Sequence, residues 1–299
     1  MNFDGILFFP VTPFDASGAV DHDLLASHVG RGVRHGAGGV FPACGTGEFH
    51  ALSTAEAAAV VRTAVASVAG AVPVVAGTGG PLGHALETAR AAADAGADAL
   101  LALPPYLVGG PQAGLVAYIE AIAAASDLPV IVYHRANAQF TPESMRRLAE
   151  NPRVVGFKDG TGDIGATQLI VRAIAATGRD DFAFFNGLLT AELTQAAYRG
   201  IGVPLYSSAA FAMVPEVANA YYRAYIGHDE ERRLALLDAF YAPLVALRDE
   251  TPGFGVSLIK AGLRLSGQAV GGVRAPLVDP TADQERRLAA ILDAGRALL

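Results

Sequence analysis

The sequence has few charged residues, one cysteine and few basic residues, and each shortage excludes a class of protein. Only 17% of the 299 residues are charged and 52% are hydrophobic, the reverse of a disordered chain. The lone Cys44 excludes an intrachain disulfide and a multi-cysteine metal cluster. Acidic residues outnumber basic ones, 29 to 22. Because nucleic-acid binding needs clustered Lys and Arg, we expect no nucleic-acid partner.

Long uninterrupted apolar segments are also lacking. Two uncharged stretches, 63–83 and 99–119, reach membrane-spanning length, but several prolines and glycines interrupt each of them. A spanning helix needs a nearly continuous backbone ladder, so we expect core segments of a soluble protein and no membrane partner. The first residues, MNFDGILFFPVTPFD, show neither the basic region nor the cleavage site of a signal peptide. We therefore expect a cytoplasmic protein.

Apolar runs of strand length recur eight times and are separated by helical patterns. Their hydrophobicity is continuous instead of alternating, which is typical of parallel strands covered on both faces. Ser53 with Glu56 predicts a capping box, and Thr141-Pro142 predicts a second helix start. Eight such units predict an α/β fold, a (β/α)8 TIM barrel, with a doubly wound sheet as the alternative. The predicted strands are Ile6–Phe9, Gly39–Phe41, Val74–Gly77, Ala99–Leu103, Val130–Tyr133, Val154–Lys158, Phe182–Asn186 and Val203–Tyr206.

Helix ends and the C-terminal region complete the predicted organisation. Gly36, Gly96 and Gly200 are predicted to end helices in the left-handed conformation, which glycine adopts without strain. Residues 225–299 contain helical patterns and no strand run. The sequence therefore predicts a barrel over 1–224 and a helical extension over 225–299 that packs on the barrel or on a neighbouring subunit.

Lysine is the scarcest basic residue, because only Lys158 and Lys260 accompany 20 arginines. Catalytic groups of such barrels follow the C-terminal ends of strands, and Lys158 ends a predicted strand. Burial there would lower its pKa from about 10.4 toward neutrality, giving a free amine that attacks carbonyls, which arginine cannot do. An ion pair with Asp159 or Glu48 is the alternative. Lys260 lies in a helical pattern and is predicted to be an amphipathic helix residue.

Two other predicted strand ends carry groups that suit this chemistry. Tyr133 ends the strand next to that of Lys158, so its hydroxyl could reach the amine and relay protons. An aromatic lid over the barrel is the alternative. The turn Gly45-Thr46-Gly47 offers free N–H groups suited to a carboxylate, although the same residues would also suit a purely structural turn.

A glycine motif and the histidines raise two further hypotheses. Gly160–Gly165 matches the G-x-G-x-x-G fingerprint of dinucleotide binding, which would indicate a nicotinamide oxidoreductase. Glycine is abundant here, a Lys-Asp pair precedes the motif, and the unit is the sixth rather than the first, so we do not favour this hypothesis. We expect no metal, because no metal-ligand spacing joins carboxylates to the seven histidines, His22, His28, His35, His50, His84, His134 and His228.

Five motifs distributed over the whole chain are Phe9–Phe14, Cys44–Glu48, Tyr133, Gly156–Asp159 and Val273–Leu277. Together they resemble the dihydrodipicolinate synthase / N-acetylneuraminate lyase superfamily. The resemblance implies a (β/α)8 barrel with a C-terminal helical extension, usually a tetramer, whose lysine forms a Schiff base with an α-keto acid. It gives Lys158 the role of imine lysine and Tyr133 that of proton relay. Gly45 and Thr46 would bind the keto-acid carboxylate.

Departures from the synthases indicate another branch of the superfamily. Gly45 replaces the first of two adjacent threonines, Leu107 replaces a tyrosine that reaches a neighbouring subunit, and Ala138 replaces an arginine. Dihydrodipicolinate synthesis is therefore not expected. Four segments resemble instead the branch that dehydrates and decarboxylates keto sugar diacids, namely Ala43–Phe49, Tyr133–Ala138, Phe185–Gly187 and Tyr206–Ala209.

The resemblance to this branch implies a Schiff-base lyase for a small keto sugar diacid. Asn186, Ser207 and Ser208 are candidates for binding the distal hydroxyls and carboxylate, and Arg135 is a further candidate. The imine serves both dehydration and decarboxylation, so no cofactor is expected. We expect a homo-oligomer, a tetramer or a dimer of dimers. The alternatives are a class I aldolase acting on a 2-keto-3-deoxy sugar acid and a non-catalytic regulatory or scaffold homologue.

Overall fold

A ring of eight parallel strands forms the centre of the molecule. The computed structural model describes residues 2–299. The strands are Ile6–Phe8 (β1), Ala37–Val40 (β2), Val75–Thr78 (β3), Ala99–Ala102 (β4), Val130–His134 (β5), Val154–Asp159 (β6), Ala183–Asn186 (β7) and Leu205–Ser208 (β8). They pair in the order β2-β1-β8-β7-β6-β5-β4-β3, and a parallel bridge between Val40 and Val74 joins the two ends. The predicted (β/α)8 barrel is confirmed.

Alternation of side chains along each strand explains why the strand sequences are apolar throughout. Leu7, Leu101 and Ile131 belong to the cluster that fills the barrel. Their neighbours along the chain, such as Leu100 and Val130, belong to the outer cluster beneath the helices. Successive residues of a strand point to opposite faces, and both faces are covered here. All eight predicted strands are present, and their ends differ from the predicted ones by at most two residues.

Helices cover the outside of the barrel and continue beyond it. They are His22–Arg34 (α1), Thr54–Val68 (α2), Leu82–Asp94 (α3), Gln112–Ala125 (α4), Pro142–Ala149 (α5), Ile164–Ala175 (α6), Gln195–Gly200 (α7), Ala210–Met213 (α8), Pro215–Gly227 (α9), Glu230–Leu236 (α10), Ala242–Arg248 (α11), Phe254–Leu265 (α12) and Ala282–Arg296 (α13). A π-helical turn, Leu237–Tyr241, joins α10 to α11. No helix within residues 2–299 is long and apolar enough to cross a membrane.

The local start and stop signals are confirmed with one exception. Ser53 and Glu56 form the reciprocal capping box, and Pro142 occupies the first turn of α5. Gly36 and Gly96 are left-handed, with φ of +81° and +85°. The prediction for Gly200 was wrong. It is the last residue of α7, Ile201 follows as the C-cap, and the left-handed residue is Gly202, with φ of +87°.

The C-terminal helices pack against the barrel, and α12 is buried along most of its length. The expected division at residues 224/225 lies inside α9, and the two-part organisation stays a prediction. The prediction of an amphipathic position for Lys260 was wrong, because its side chain is fully buried in α12. It forms an ion pair with the carboxylate of Glu48, which makes the buried charge tolerable.

Candidate active site

A cavity of about 240 Å³ opens at the C-terminal ends of the strands, where barrels of this kind hold their reacting groups. Phe9, Leu101, Leu188 and Val256 supply part of its apolar wall. Its polar wall includes Arg135 and five of the seven residues predicted from the sequence, namely Lys158, Tyr133, Gly45, Thr46 and Ser207.

Lys158 lies near the end of β6, with its side chain inside the barrel. The side chain is buried, and Nζ lies 3.9 Å from the centre of the Phe9 ring and 4.6 Å from that of Tyr133. Burial lowers the pKa of Lys158 to about 7, with a smaller contribution from Arg135 in the same direction. A substantial fraction of the amine is therefore uncharged, and hence nucleophilic, at neutral pH.

The ion-pair alternative for Lys158 does not fit the contacts of the two carboxylates considered for it. Asp159 accepts hydrogen bonds from Thr161, Gly162 and Tyr198. Glu48 pairs with the other lysine. Within residues 2–299, no carboxylate lies within ion-pair distance of Nζ of Lys158 to hold the amine in its charged form. Cys44 opposes the lowering of the Lys158 pKa, but burial outweighs it.

Reactivity of Lys158 should follow this low pKa. Below about pH 6 the amine is mostly protonated, and above about pH 8 it is mostly free. The rate at which borohydride traps a pyruvate adduct on Lys158 should therefore rise with pH, with a midpoint of about 7. Peptide mass mapping across a pH series measures it. A midpoint near 10.5, the ordinary pKa of a lysine amine, would contradict a lowered pKa at Lys158.

Two glycines that were not predicted as site residues make room for Lys158 and Tyr133. A Cβ on Gly187 would overlap Cε of Lys158 and the main-chain oxygen of Asp159. A Cβ on Gly160 would lie 2.7 Å from Cε2 of Tyr133. The signals in the sequence are the position of each glycine just after a predicted strand and, for Gly187, its place in the segment Phe185–Gly187. Gly160 therefore has a packing role. This role explains why a glycine stands at the first position of the dinucleotide-like motif, and nucleotide binding is not needed to explain it.

Gly187→Ala should lower the rate of adduct formation on Lys158 by roughly 10- to 100-fold, because the methyl group displaces the reacting amine. Borohydride trapping with pyruvate measures the rate. Gly200→Ala is the matched control, because a Cβ there meets no atom within 4 Å. Equal trapping rates in the two folded variants would show that this close packing does not position Lys158.

The hydroxyl of Tyr133 lies in a hydrogen-bonded chain with Arg135. It donates to the Gly187 carbonyl at 2.9 Å and accepts from Nη1 of Arg135 at 2.9 Å. Burial raises the pKa of Tyr133, and the Arg135 guanidinium opposes this rise. The face of the ring, rather than the hydroxyl, contacts Lys158. Within residues 2–299, the Tyr133 hydroxyl forms no hydrogen bond with Nζ of Lys158, although the sequence suggested that it could reach the amine.

The turn after β2 contains backbone donors in residues that line the cavity. Its fold is fixed by Oγ1 of Thr12, which donates to the Gly47 carbonyl at 2.7 Å, and by the N–H of Phe49, which donates to the Cys44 carbonyl. The N–H groups of Gly45 and Thr46 donate to no acceptor in residues 2–299. Both residues line the cavity, so they are suited to binding an anionic group there.

Asn186 and Ser208 were predicted to bind substrate, but the structure places them outside the cavity. The fully buried amide of Asn186 donates to Ala191, Thr194 and Gln195. The hydroxyl of Ser208 donates to the carboxylate of Glu192. Each follows a residue that faces the barrel interior, Phe185 or Ser207. Because neighbouring strand residues point to opposite faces, only one member of each pair can reach the cavity.

The loop carrying the glycine motif uses its own donors locally. The N–H groups of Thr161 and Gly162 donate to the Asp159 carboxylate. Asp163 caps α6 by accepting from the N–H of Ala166 at 2.9 Å. The loop is thus organised around two carboxylates, which would repel a pyrophosphate.

Fold and site together define a class of protein, the (β/α)8 barrels with a buried lysine at the mouth. Residues 2–295 match the model of the dihydrodipicolinate synthetase family. The chain belongs to this family.

Relatives and solved structures agree with this assignment over nearly the whole chain. The chain is 54% identical to a "Probable 5-dehydro-4-deoxyglucarate dehydratase" of Streptomyces griseus, covering 99% of this chain and 92% of that protein. It is 51% identical to a "Probable 5-dehydro-4-deoxyglucarate dehydratase 1" of Streptomyces avermitilis, covering 99% and 94%. The crystal structure of dihydrodipicolinate synthase from Oceanobacillus iheyensis superposes with a TM-score of 0.90 at 26% identity, covering 99% and 97%.

Proposed function

We propose that this chain is a 5-dehydro-4-deoxyglucarate dehydratase that releases water and carbon dioxide and forms 2,5-dioxopentanoate. The substrate comes from the names of relatives that are about half identical over nearly the full length. The observation that carries the chemistry is the unpaired amine of Lys158, with a pKa lowered to about 7, in the cavity at the barrel mouth.

The reaction begins with attack of the Lys158 amine on the ketone. Counting from the carboxylate next to that ketone, the amine forms an imine at C2 and water leaves. The protonated imine acidifies C3, and loss of a C3 proton gives an enamine that expels the C4 hydroxyl as water. The conjugated imine then accepts the electron pair of the C5–C6 bond as carbon dioxide departs. Protonation at C4 and C3 and hydrolysis release 2,5-dioxopentanoate and free Lys158.

The groups around Lys158 supply binding and proton transfer in this scheme. The free N–H groups of Gly45 and Thr46 bind the C1 carboxylate, and Ser207 binds a hydroxyl of the substrate. Tyr133 carries protons as the imine forms and breaks down. Its hydroxyl already exchanges hydrogen bonds with Arg135 and a main-chain carbonyl, which support a path for the proton.

Arg135 is the group best placed to bind the distal carboxylate. It lines the cavity, its guanidinium donates to the hydroxyl of Tyr133, and no carboxylate of residues 2–299 pairs with it. The protein carries a net charge of −7, so a dianionic substrate needs local attraction of this kind. Because the C6 carboxylate leaves as carbon dioxide, the product has lost the partner of Arg135 and can dissociate.

The homo-oligomer and the cytoplasmic location remain proposals. An exposed apolar segment of the β4–α4 loop supports an oligomer, since Tyr106, Leu107 and Val108 are 62%, 81% and 67% exposed. Apolar surface of this kind is common where subunits meet.

Incubation with 5-dehydro-4-deoxyglucarate tests the proposed function. We expect one carbon dioxide and one 2,5-dioxopentanoate per substrate consumed, measured by gas release and mass spectrometry, without an added cofactor. Pyruvate and a three-carbon aldehyde acid would instead show a class I aldolase. A folded wild-type protein that leaves the substrate unchanged would contradict the proposal and favour a non-catalytic homologue.

A further inference from the structure

A fully buried ion pair joins α12 of the C-terminal extension to the end of the turn Gly45–Gly47, which lies at the cavity. Nζ of Lys260, in the middle of α12, lies 2.6 Å from Oε1 of Glu48, the residue that follows Gly45–Gly47. Both side chains have no exposed surface. Lys260 also donates to the Gly272 carbonyl at 2.8 Å, and its Nζ lies 4.0 Å from the centre of the Phe14 ring.

Arg274, also in the extension, binds the second carboxylate oxygen of Glu48. Its main-chain N–H donates to Oε2 of Glu48 at 2.8 Å, so both carboxylate oxygens of Glu48 have partners in the extension. Its guanidinium donates to the Ala51 carbonyl at 2.9 Å and pairs with Glu56 at 2.6 Å. The extension therefore holds the chain both at the end of the turn and at the helix that follows it.

The backbone of the turn needs such external support. Glu48 is left-handed, with φ of +58°, and Ala43 before the turn has φ of +49°. This region is sparsely populated by residues that carry a Cβ, and it persists only where the surroundings enforce it. The two strained residues flank the free N–H groups of Gly45 and Thr46, so release of Glu48 would let these donors move.

Lys260 has no access to the cavity and cannot be a second reacting amine. It does not line the cavity, and its Nζ is held by Glu48 and Gly272. Stability alone is also a weak reason for the pair, because apolar residues of similar volume often replace a buried ion pair at no net cost. A role in holding the turn Gly45–Gly47 in place explains both why the pair is kept and why Lys260 lies away from the cavity.

We infer that Glu48 and Lys260 are positioning residues that hold the N–H groups of Gly45 and Thr46 where a substrate carboxylate binds, which makes the C-terminal extension part of the active site. The inference rests on the proposed function, since it takes that turn as the carboxylate site. Neither side chain touches the substrate.

The test is the double variant Glu48→Gln/Lys260→Met, which keeps the side-chain volumes and leaves no buried unpaired charge. Borohydride trapping of the Lys158 adduct is measured against pyruvate concentration. We expect the half-saturating concentration to rise about tenfold, as for a weakened hydrogen bond to a charged group, with little change in the maximal trapping rate. A purely structural role would lower the melting temperature without this selective change.

The matched control is Glu216→Gln/Arg296→Met. It removes another ion pair between the extension and the preceding helices, at 3.2 Å, and neither residue lines the cavity. Its half-saturating concentration should equal that of the wild type.

A second variant, Glu48→Asp, and the wild-type adduct complete the test. If the double variant does not fold, Glu48→Asp, which keeps the charge but shortens the link, should raise the half-saturating concentration by a smaller factor. An unchanged value in either folded variant would overturn the inference. Absence of any adduct in the wild type would contradict the proposed function as well. A normal wild-type adduct with an unchanged half-saturating concentration in the variant would contradict the inference alone.

Discussion

Lys158→Met should abolish turnover of 5-dehydro-4-deoxyglucarate, with a loss of at least about 10⁴-fold, because every proposed step passes through the imine on this amine. Methionine has a similar length and suits the aromatic surroundings of Phe9 and Tyr133. The free energy of unfolding should therefore stay equal or rise, since a buried amine with no ion partner no longer needs to be accommodated. Steady-state kinetics and thermal denaturation measure the two quantities.

The comparison with Lys158→Arg shows whether charge or nucleophilicity matters. Arginine keeps a cation in the cavity but forms no imine, so this variant should be as inactive as Lys158→Met. Activity within about tenfold of the wild type in either folded variant would contradict imine chemistry at Lys158.

Tyr133→Phe should lower kcat by about 10²- to 10³-fold, the usual contribution of a positioned proton carrier. The variant removes the hydroxyl that bonds Gly187 and Arg135 but keeps the ring that contacts Lys158. The Lys158 amine therefore stays in place, and KM should change much less than kcat.

Two controls separate proton transfer from packing and from anion binding. Tyr118→Phe also removes a hydroxyl that donates to a carbonyl, that of Gly80 at 2.9 Å, but outside the cavity, and should leave kcat unchanged. Arg135→Met keeps the phenol of Tyr133 and should raise KM for the diacid more than Tyr133→Phe does, with a smaller loss of kcat from the missing hydrogen bond to Tyr133. If Tyr133→Phe behaves like Tyr118→Phe, the tyrosine is only an aromatic wall of the cavity.

The barrel could be predicted because its determinants are local. Continuous apolar runs follow from strands covered on both faces, and each can be seen within a few residues of sequence. The placement of Lys158 and Tyr133 in the cavity could be predicted for a related reason. Each lies one residue before the end of its strand, on the neighbouring strands β5 and β6, and the ends of parallel strands meet at one edge of a barrel.

Other parts of the site depend on the direction of side chains and on contacts between distant segments. Ser207 and Ser208 have the same chemistry in sequence, yet the pleat of β8 sends only the first into the cavity. The burial of Lys260 depends on Glu48, which lies far from it in the chain. A helical pattern contains no information about such a partner. Gly187 is required by the volume of a side chain on another strand, which sequence spacing does not reveal.

Borohydride reduction in the presence of pyruvate, followed by peptide mass mapping, tests the central claim most directly. The chain contains only two lysines, and peptide mapping distinguishes an adduct on one from an adduct on the other. We expect a reduced pyruvate adduct on the peptide that contains Lys158 and an unmodified peptide that contains Lys260. No adduct on the folded protein, or an adduct on Lys260 alone, would contradict it.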